Sequence, residues 1–435
     1  MKLSTQPYKG ARDFYPEDLS IRKYIFDVIR HVVESYGYEE YDAPLIEPIE
    51  LYQAKSGSEI VADQTYRFLD RGNREVAIRP EMTPSVSRMV AARRQQLAYP
   101  LRWYSIPNLW RYERPQRGRF REHWQLNVDI FGIASIAAEL ELIQITDNIL
   151  RAFGGKPTMF RIKINHRQLL NLLFTDYLGL NPMQSIAMAS LIDRSQKMVR
   201  SEFIEQIDKI LTADQKRKST TEKLLNVINS DSLDKLPPLL KNSEPAKQLR
   251  QLIEACSELS IGNVDFSLSI VRGFDYYSGL VFELFDASVE NSRSMLGGGR
   301  YDGLVGLFGV ENVPTAGFGL GDATLINFLK LHGLMPDVES LTQIYIVIIG
   351  ELILEAMKIA NMLRRAGLKV AVDLSSKKLG EQIKTAAKKG IRYVLIIGEN
   401  EIKSQQFTFR DLIASNEVKL SLVKIEKLVK ASTLK

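Results

Sequence analysis

Apolar and polar residues alternate between positions 124 and 130, which is the period-two pattern of a β-strand with one apolar and one polar face. The polar positions of this strand are Gln125, Asn127 and Asp129. The segment before it holds five arginines within eleven residues: Arg111, Arg114, Arg117, Arg119 and Arg121. We predict a strand, a basic turn and a second strand, with Arg111 on the same face as Gln125 and Asp129. Because guanidinium groups bind phosphate or carboxylate through paired hydrogen bonds, the hairpin is a candidate anion site. An ordinary hairpin with a solvated basic tip is the alternative.

Other stretches of the first 260 residues also carry clear periodicities. Helical spacing of apolar residues, and short apolar runs between turn residues, predict helices over 21–36, from about 85 and over 137–153, and strands over 66–70 and 76–80. Gly37 follows the first helix at the position where glycine commonly ends one. Residues 170–255 have a helical pattern and contain no motif with a recognisable chemistry.

After residue 260 the pattern changes to strands broken by glycine-rich turns. The predicted elements are strands over 264–270 and 280–285, a run of three glycines at 297–299, and a glycine-rich strand over 316–321 that leads into a helix. Three consecutive glycines allow a ligand or another chain segment to approach the backbone closely.

The last hundred residues alternate strands and helices. The predicted strands cover 344–350, 369–373 and 392–398, and the helices between them run around 356–363 and 379–387. This alternation predicts an α/β unit whose parallel strands are joined by right-handed crossovers. A generic flavodoxin-like module is the alternative. It would bind a dinucleotide poorly, because no Gly-x-Gly-x-x-Gly turn follows its first strand.

Composition narrows the class of protein. The chain of 435 residues is too long for one ordinary domain, so we expect two or three. Cys256 is its one cysteine, which excludes an intrachain disulfide and fits a reducing compartment. The four histidines are scattered, so we predict no zinc or other protein-held metal site. The first residues lack the apolar core of a signal peptide, and no run of about 20 apolar residues occurs. We therefore expect a cytoplasmic protein that does not enter a membrane.

Charge is distributed unevenly along the chain. The net charge is +6, but residues 341–435 alone carry 17 Lys and Arg against 9 Asp and Glu. The remainder carries 41 basic and 43 acidic residues. A basic module on a near-neutral body indicates a polyanionic partner that meets one end of the molecule.

Several motifs, in order, resemble one family. Arg111-x-Glu113, the basic loop, Gln125 and Asp129 resemble motif 2 of class II aminoacyl-tRNA synthetases. Three further segments resemble histidyl-tRNA synthetases in particular: RPEMTP at 79–84, RGFDYY at 272–277 and GGGRYDGL at 297–304. The helix, glycine, strand and proline between 21 and 47 are similar to motif 1, which builds the dimer interface in that class.

The resemblance implies a fold and a domain order. We expect an α+β class II synthetase catalytic domain, an antiparallel sheet flanked by helices, with a helical insertion and a C-terminal α/β anticodon-binding domain. The expected boundaries are 1–335 for the catalytic domain, about 170–255 for its insertion, 336–342 for a linker and 343–435 for the anticodon-binding domain.

The resemblance also implies the reaction: ATP-dependent ligation of L-histidine to tRNA(His) through a histidyl-adenylate, by a homodimer, with Mg²⁺ bound to ATP. Its catalytic residues would be Arg272 and Arg111. Histidine would be bound by Glu81, Met82, Thr83, Arg111, Gln125, Asp129, Arg272, Tyr276, Tyr277 and Tyr301. ATP would be bound by Arg111, Glu113, Arg119, Arg121 and His123, and tRNA by Gln116 and Arg117. Among these, Glu81, Thr83 and Gln125 would hold the ammonium group, and Asp129 and Tyr276 would recognise the imidazole.

One motif departs from the family pattern. Ala323 and Thr324 stand where motif 3 usually has Glu-Arg, an arginine that stacks on adenine and touches the terminal phosphate in most class II enzymes. A loop arginine of motif 2 is one possible substitute. The departure also keeps a second function open, the non-catalytic synthetase-like regulatory subunit of ATP phosphoribosyltransferase. A generic RNA-binding protein of synthetase descent is the third.

Overall fold

The computed structural model describes residues 3–53, 64–116, 118–195, 198–271, 276–291, 293–337 and 340–433. The chain divides into two compact units, Met1–Phe14 with Arg22–Met335 and Tyr15–Ile21 with Pro336–Lys435. Among the described residues, every helix is too short or too polar to cross a lipid bilayer.

In the described chain, the first part of the larger unit contains four helices and seven strands. They are α1 (Pro16–Ser35), β1 (Glu39–Glu40), β2 (Ile46–Pro48), α2 (Glu50–Gln53), β3 (Tyr66–Leu69), β4 (Glu75–Ile78), α3 (Thr83–Arg93), β5 (Leu101–Ser105), β6 (Asn108–Trp110), β7 (Glu122–Phe131) and α4 (Ala137–Ala152). Helix α1 buries one stripe, Ile25, Ile29, Val32 and Val33, as its apolar spacing predicts. Pro84 lies in the first turn of α3, where the missing N–H costs no hydrogen bond.

A helical stretch interrupts the sheet between its eighth and ninth strands. It follows β8 (Phe160–His166). Its helices are α5 (Arg167–Leu172), α6 (Pro182–Arg194), α7 (Arg200–Ile210), α8 (Ala213–Arg217), α9 (Thr220–Ile228), α10 (Pro238–Lys241) and α11 (Glu244–Glu258). Reciprocal side-chain caps mark two helix starts. Asn181 and Gln184 exchange hydrogen bonds of 2.9 and 3.0 Å at α6, and Thr212 and Gln215 do the same at α8.

The remaining elements of the larger unit complete its main sheet. They are β9 (Val264–Phe266), β10 (Leu280–Asp286), β11 (Ser294–Arg300), β12 (Thr315–Gly321) and α12 (Asp322–Leu331). In the described chain the sheet has nine strands in the order β1-β5-β7-β12-β11-β10-β8-β9, with β6 also paired to β7. Its centre is antiparallel, as predicted, but the edge pairs β1–β5 and β8–β9 are parallel. Strands β2, β4 and β3 form a separate small sheet.

Strand β9 is shorter than its sequence pattern predicted. Alternation continues to Ile270, but pairing with β8 ends at Phe266. The N–H of Ser267 still donates to the carbonyl of Ile164 at 3.0 Å, and the N–H of Ile270 then donates to the carbonyl of Ser267 at 3.2 Å. The chain therefore turns where the prediction placed the second half of a strand.

The smaller unit contains a five-stranded sheet in the described chain. Its elements are β13 (Ile344–Ile348), α13 (Ile353–Arg365), β14 (Val370–Val372), α14 (Leu379–Lys388), β15 (Tyr393–Ile397), α15 (Glu399–Ser404), β16 (Phe407–Asp411), β17 (Asn416–Leu420) and α16 (Leu422–Thr433). Strands β14, β13 and β15 are parallel, as the strand–helix alternation predicted, and β16 and β17 extend the sheet antiparallel. The predicted helix stripe, Ala356, Ile359, Ala360 and Leu363, is buried against this sheet.

Candidate active site

A cavity, here called cavity A, lies against the polar face of β7 where this strand pairs with β12. It encloses about 360 Å³, part of it open to solvent. Its lining residues are Glu81, Thr83, Arg111, Gln125, Asn127, Asp129, Tyr276, Tyr277, Gly297, Tyr301, Gly317, Phe318 and Gly319. Strand periodicity sends the polar side chains of β7 into this space, while Leu126, Val128 and Ile130 are fully buried on the other face. The structure thus brings together eight of the ten residues that the resemblance assigned to histidine.

Glycines in β11 and β12 make the room that cavity A occupies. Gly317 pairs with Asp129 in register, and a Cβ atom there would collide with the Asp129 carboxylate and the Tyr301 hydroxyl. A Cβ on Gly319 would lie 2.7 Å from Nε2 of Gln125, closer than real Cβ contacts. The glycine-rich strands are therefore needed so that polar side chains can lie flat over the sheet.

Asp129 lies at the bottom of cavity A and is 3% exposed. Its Oδ1 accepts a short hydrogen bond from the Tyr301 hydroxyl, and its Oδ2 accepts one of 3.4 Å from the Tyr41 hydroxyl. Burial raises the pKa of Asp129 to about 7, although the two tyrosine hydrogen bonds lower it. A buried carboxyl of this kind is stabilised in its charged form by a cationic or N–H-donating ligand.

Tyr301 is held in place by the arginine beside it in the chain. Arg300 forms a bidentate ion pair with buried Glu139 of α4, with both N–O distances 2.7 Å. The N–H of Thr315 donates to Oδ1 of Asp302 at 2.9 Å, which holds the other side of the same turn. In the segment GGGRYDGL, the arginine therefore anchors the strand to a helix, and the tyrosine faces the cavity.

Glu81 and Tyr276 meet on the opposite side of cavity A. The Tyr276 hydroxyl donates to Oε2 of Glu81 at 3.2 Å, so this tyrosine, which was predicted to recognise the imidazole, contacts the group predicted to hold the ammonium. The Tyr276 ring lies 4.8 Å from the Tyr277 ring and 5.5 Å from the Tyr301 ring. Three tyrosines thus form one packed wall.

Two neighbouring residues of the RPEMTP segment, Thr83 and Met82, lie in different environments. Thr83 is the first residue of α3 and lines cavity A, and no side-chain hydrogen bond caps this helix. Met82 is fully buried and does not line the cavity. Its predicted role in binding histidine is therefore not supported for its side chain, which belongs to the core.

A second cavity, here called cavity B, adjoins the first. It encloses about 700 Å³ and is lined by Arg111, Glu113, Gly118, Arg119, Phe120, His123, Arg293, Ser294, Gly321, Asp322, Ala323 and Thr324. Arg111 lines both cavities, and its Nε donates to the carbonyl of Pro80 at 2.9 Å. One guanidinium group therefore stands where the two spaces meet.

The charges of cavity B are paired within the protein. Arg119 makes a short bidentate contact with the carboxylate of Glu113. Asp322 begins α12 and accepts a hydrogen bond of 2.8 Å from Arg12, whose guanidinium lies 4.3 Å from the centre of the Phe120 ring. Burial raises the pKa of Asp322, while Arg12 lowers it. The guanidinium groups of Arg119 and Arg12, which could bind an anion, are therefore already held in place by neighbouring side chains of the protein.

His123 is a neutral ring in the wall of cavity B. Burial, and after it the positive charges of Arg111, Arg12 and Arg119, together lower its pKa to about 3. An uncharged imidazole in this position offers a flat surface to an aromatic ligand and adds no charge to the site.

The remaining predicted residues lie elsewhere or outside the described chain. Arg121 is buried, with its guanidinium 3.9 Å from the centre of the Tyr112 ring and its Nη1 donating to the Tyr8 hydroxyl at 3.0 Å. In the described chain it lines neither cavity, and its predicted contact with ATP stays a prediction. Gln116 contacts Arg293. Arg272 and Arg117 lie outside the described residues.

Sequence reasoning missed three polar residues of these cavities. Asn127 lines cavity A, and its place in the alternation with Gln125 and Asp129 was the available signal. Arg293 and Asp322 line cavity B; Arg293 belongs to no recognised motif, and Asp322 lies in the segment that stands in the place of motif 3 but was given no role. They reach the cavity because β11 and α12 begin beside it.

Comparisons with known proteins point in the same direction as this geometry. A family model described as histidyl-tRNA synthetase matches residues 10–325, and one described as anticodon binding domain matches residues 343–432. A histidine–tRNA ligase of Leptospira biflexa is 45% identical over 97% of this chain and 96% of its own length. Another, of Thermoplasma volcanium, is 36% identical over 99% of this chain and 100% of its own length. The crystal structure of histidyl-tRNA synthetase from Nostoc sp. PCC 7120 has a TM-score of 0.82 at 26% identity, covering 99% of this chain and 100% of that one. The chain belongs to the histidyl-tRNA synthetase family.

Proposed function

We propose that this protein joins L-histidine to tRNA(His) at the expense of ATP, through a histidyl-adenylate. The observation that supports this most directly is the position of Arg111, which lines both cavity A and cavity B. Cavity A offers buried carboxylates and tyrosine hydroxyls to a small cationic molecule, and cavity B offers arginines to a larger anion. The two ligands would meet at one guanidinium group.

The first step is an in-line attack of the histidine carboxylate on the α-phosphate of ATP. A new O–P bond forms, and the bond between the α- and β-phosphates breaks to release pyrophosphate. Two anions must approach, so a preset cation between them lowers the barrier through positioning and electrostatic stabilisation. We propose Arg111, which lines both cavities, as this cation, and Arg272, a residue of the RGFDYY segment, as the second.

Histidine recognition is assigned to the two acidic groups of cavity A. Glu81, with Thr83 and Gln125, would hold the α-ammonium group. Asp129 would accept a hydrogen bond from the imidazole, with Tyr301 fixing the orientation of the carboxylate through the observed contact. A buried site with such partners rejects amino acids that leave them unpaired. Tyr276 would act on the ammonium side, since its hydroxyl already contacts Glu81.

ATP is assigned to cavity B, with Arg111 at the α-phosphate, Glu113 and Arg119 near the base, and His123 against adenine. Mg²⁺ bound to ATP would neutralise phosphate charge. Both carboxylates that line cavity B, Glu113 and Asp322, are paired with arginines, and the described residues contain no cluster of three or more metal-binding side chains. Phosphate oxygens and water would therefore supply most of its ligands.

In the second step the terminal ribose hydroxyl of the tRNA attacks the carbonyl carbon of the adenylate, and AMP leaves. We assign Gln116 and Arg117 to the acceptor end of the tRNA, and the basic residues of 343–435 to the anticodon, whose unpaired bases are open to stacking and hydrogen bonding. On this proposal 1–335 is the catalytic domain, with an insertion at about 170–255, and 336–342 is a linker.

Two further assignments complete the proposal. The similarity of residues 21–47 to motif 1 supports a homodimer, which light scattering would detect as twice the chain mass of 49.4 kDa. ATP, histidine and tRNA are substrates of protein synthesis, so we propose that the protein acts in the cytoplasm.

Amino-acid-dependent pyrophosphate exchange tests the proposal. We expect the purified protein to exchange pyrophosphate into ATP with histidine and not with other amino acids. Replacing Arg272 with alanine is expected to lower the exchange rate at least about 10²-fold, because preset charges at a developing anion have effects of this size. Arg74→Ala is the matched control, since the Arg74 side chain is 80% exposed and pairs with Asp70 away from both cavities.

The regulatory-subunit alternative predicts a different result in the same assay. Such a protein would bind histidine without exchange and without charging tRNA. The matches of both the catalytic family model and the anticodon-binding model favour the ligase. Absence of histidine-dependent exchange in a well-folded preparation would contradict the ligase assignment.

A further inference from the structure

The start of α12 supplies cavity B with no cation, because Asp322 is an acid paired with Arg12 and the two residues after it are uncharged. Ala323 and Thr324 line the cavity there, and the Thr324 hydroxyl is directed to backbone carbonyls, 3.1 Å from Gly321 and 3.3 Å from Met295. A methyl group and an occupied hydroxyl offer little to a phosphate. If a triphosphate occupies cavity B, the cation for this wall must come from another element.

The neighbouring strand supplies such a cation. Arg293 immediately precedes β11 and lines the same cavity as Thr324. The contact between Thr324 and Met295 shows that the start of β11 lies against the start of α12. The Arg293 side chain therefore lines the cavity beside the wall where α12 supplies no cation.

We propose that Arg293 binds the terminal phosphates of ATP in cavity B. This inference rests on the proposed function, because it takes a nucleoside triphosphate as the ligand of that cavity. A guanidinium group suits this role, since its planar fork donates two parallel hydrogen bonds to phosphate oxygens.

The contact that Arg293 makes in the structure is compatible with release to a ligand. Its Nη2 donates to the side-chain carbonyl of Gln116 in the basic loop. Exchanging a neutral amide oxygen for a phosphate oxygen replaces an ordinary hydrogen bond with a charge-assisted one, which is about twice as strong. Arg119 and Arg12, in contrast, already contact carboxylates. Arg293 therefore gains more from an added anion than these two arginines do.

Equilibrium binding of ATP and AMP to Arg293→Ala tests the proposal. The two ligands share the base, ribose and α-phosphate, and differ in the phosphates that Arg293 is proposed to hold. We expect the Kd for ATP to rise about tenfold or more, since a lost hydrogen bond to a charged group has roughly this effect. The Kd for AMP should change less than about twofold. Arg293→Lys should lie between wild type and alanine for ATP, because it keeps the charge without the fork.

Controls separate this role from others. Arg74→Ala removes an exposed arginine far from cavity B and should leave both Kd values unchanged. If Arg293 only positions the basic loop, ATP and AMP binding will weaken in parallel, and the proposal is wrong. Unchanged ATP binding in a folded Arg293→Ala protein would also overturn it. Loss of the proposed function would be recognised separately, as absence of histidine-dependent exchange in the wild-type protein.

Discussion

Seven of the 13 residues that line cavity A belong to paired strands of one sheet, whereas most residues that line cavity B come from the basic loop, the turn before β11 and the first residues of α12. In cavity A the register of β7 against β12 sets Asp129 over Gly317, and hydroxyl groups of the protein already bond to its carboxylate. In cavity B the arginines contact Glu113, Asp322 and Gln116, which belong to the protein itself.

The difference shows two ways of preparing a site for an ionic ligand. Sheet register preorganises cavity A, so its affinity depends on burial and on the exact space over the glycines. In cavity B, arginine side chains contact other groups of the protein, and a phosphate ligand must replace some of these contacts. We therefore expect substitutions in cavity A to affect histidine binding selectively, and those in cavity B to affect ATP.

The largest expected effect comes from the residue that the two cavities share. Arg111→Ala removes the cation placed between the carboxylate and the α-phosphate, and should lower histidine-dependent pyrophosphate exchange at least about 10²-fold. Steady-state kinetics with circular dichroism of the folded variant would measure this. A loss smaller than about tenfold would show that the cavities do not communicate through this guanidinium.

The second effect concerns the pH dependence of stability. Folding raises the pKa of Asp129 from 3.8 to about 7, so the protonated carboxyl is favoured in the folded protein. Its contribution to the free energy of unfolding is complete below pH about 4 and is lost as the pH rises through 7. Asp129→Asn cannot titrate there. Its stability relative to wild type should therefore rise with pH, by roughly 2–4 kcal/mol between pH 4 and 8.

Denaturant unfolding of both proteins at several pH values checks this expectation. A difference in free energy of unfolding that stays constant with pH would mean that Asp129 is not buried as described. The same variant should also lose histidine affinity at pH 8, where the wild-type group is ionised.

A smaller effect is expected from adding one methyl group to a glycine that lines cavity A. The added methyl group of Gly317→Ala would collide with Asp129 and Tyr301. Forced repacking of this kind costs about 1–3 kcal/mol, so the KM for histidine should rise about tenfold while the Kd for ATP changes little. Gly262→Ala is the matched control, because a Cβ atom there meets nothing within 4 Å. Equal losses for histidine and ATP would contradict the separation of the two cavities.

The smallest effect is expected at His123. Its lowered pKa makes the ring neutral at pH 6–8, so it would contribute stacking and no charge. His123→Ala should weaken ATP binding about 3–10-fold, and His123→Phe should remain near wild type. Titration calorimetry between pH 6 and 8 would test this. A strong pH dependence of wild-type ATP affinity that His123→Phe abolishes would show that the ring is charged.

Much of the fold could be predicted from the local pattern of apolar and polar residues. Helix α4, the strand of Asp129 and the parallel strands of the C-terminal unit were predicted within a few residues of their observed bounds, while α1 begins five residues before its predicted start. The predicted class II fold is confirmed by the histidyl-tRNA synthetase family and by the structural likeness. Strand β9 was predicted too long, because its alternation continues past the last residue that finds a partner in β8.

The residues of the candidate site also divide into those that the sequence pattern could place and those that it could not. Gln125, Asn127 and Asp129 share a face because a strand has period two, which sequence alone reveals. Arg121 belongs to the same basic run as Arg119, yet it packs against Tyr8 and Tyr112. Nothing in the spacing of the arginines distinguishes the two, because one of the two tyrosines that contact Arg121, Tyr8, lies more than a hundred positions away in the chain.

The amino-acid sequence by itself determined the order of helices and strands, the basic character of the last hundred residues and the chemical types gathered in each motif. These follow from periodicity and side-chain chemistry, which are local properties. Only the tertiary structure decided that Tyr276 bonds to Glu81, that Arg111 stands between two cavities and that Asp129 titrates near neutrality. Burial and hydrogen-bond partners depend on segments far apart in the chain, and no local pattern specifies which of them will meet.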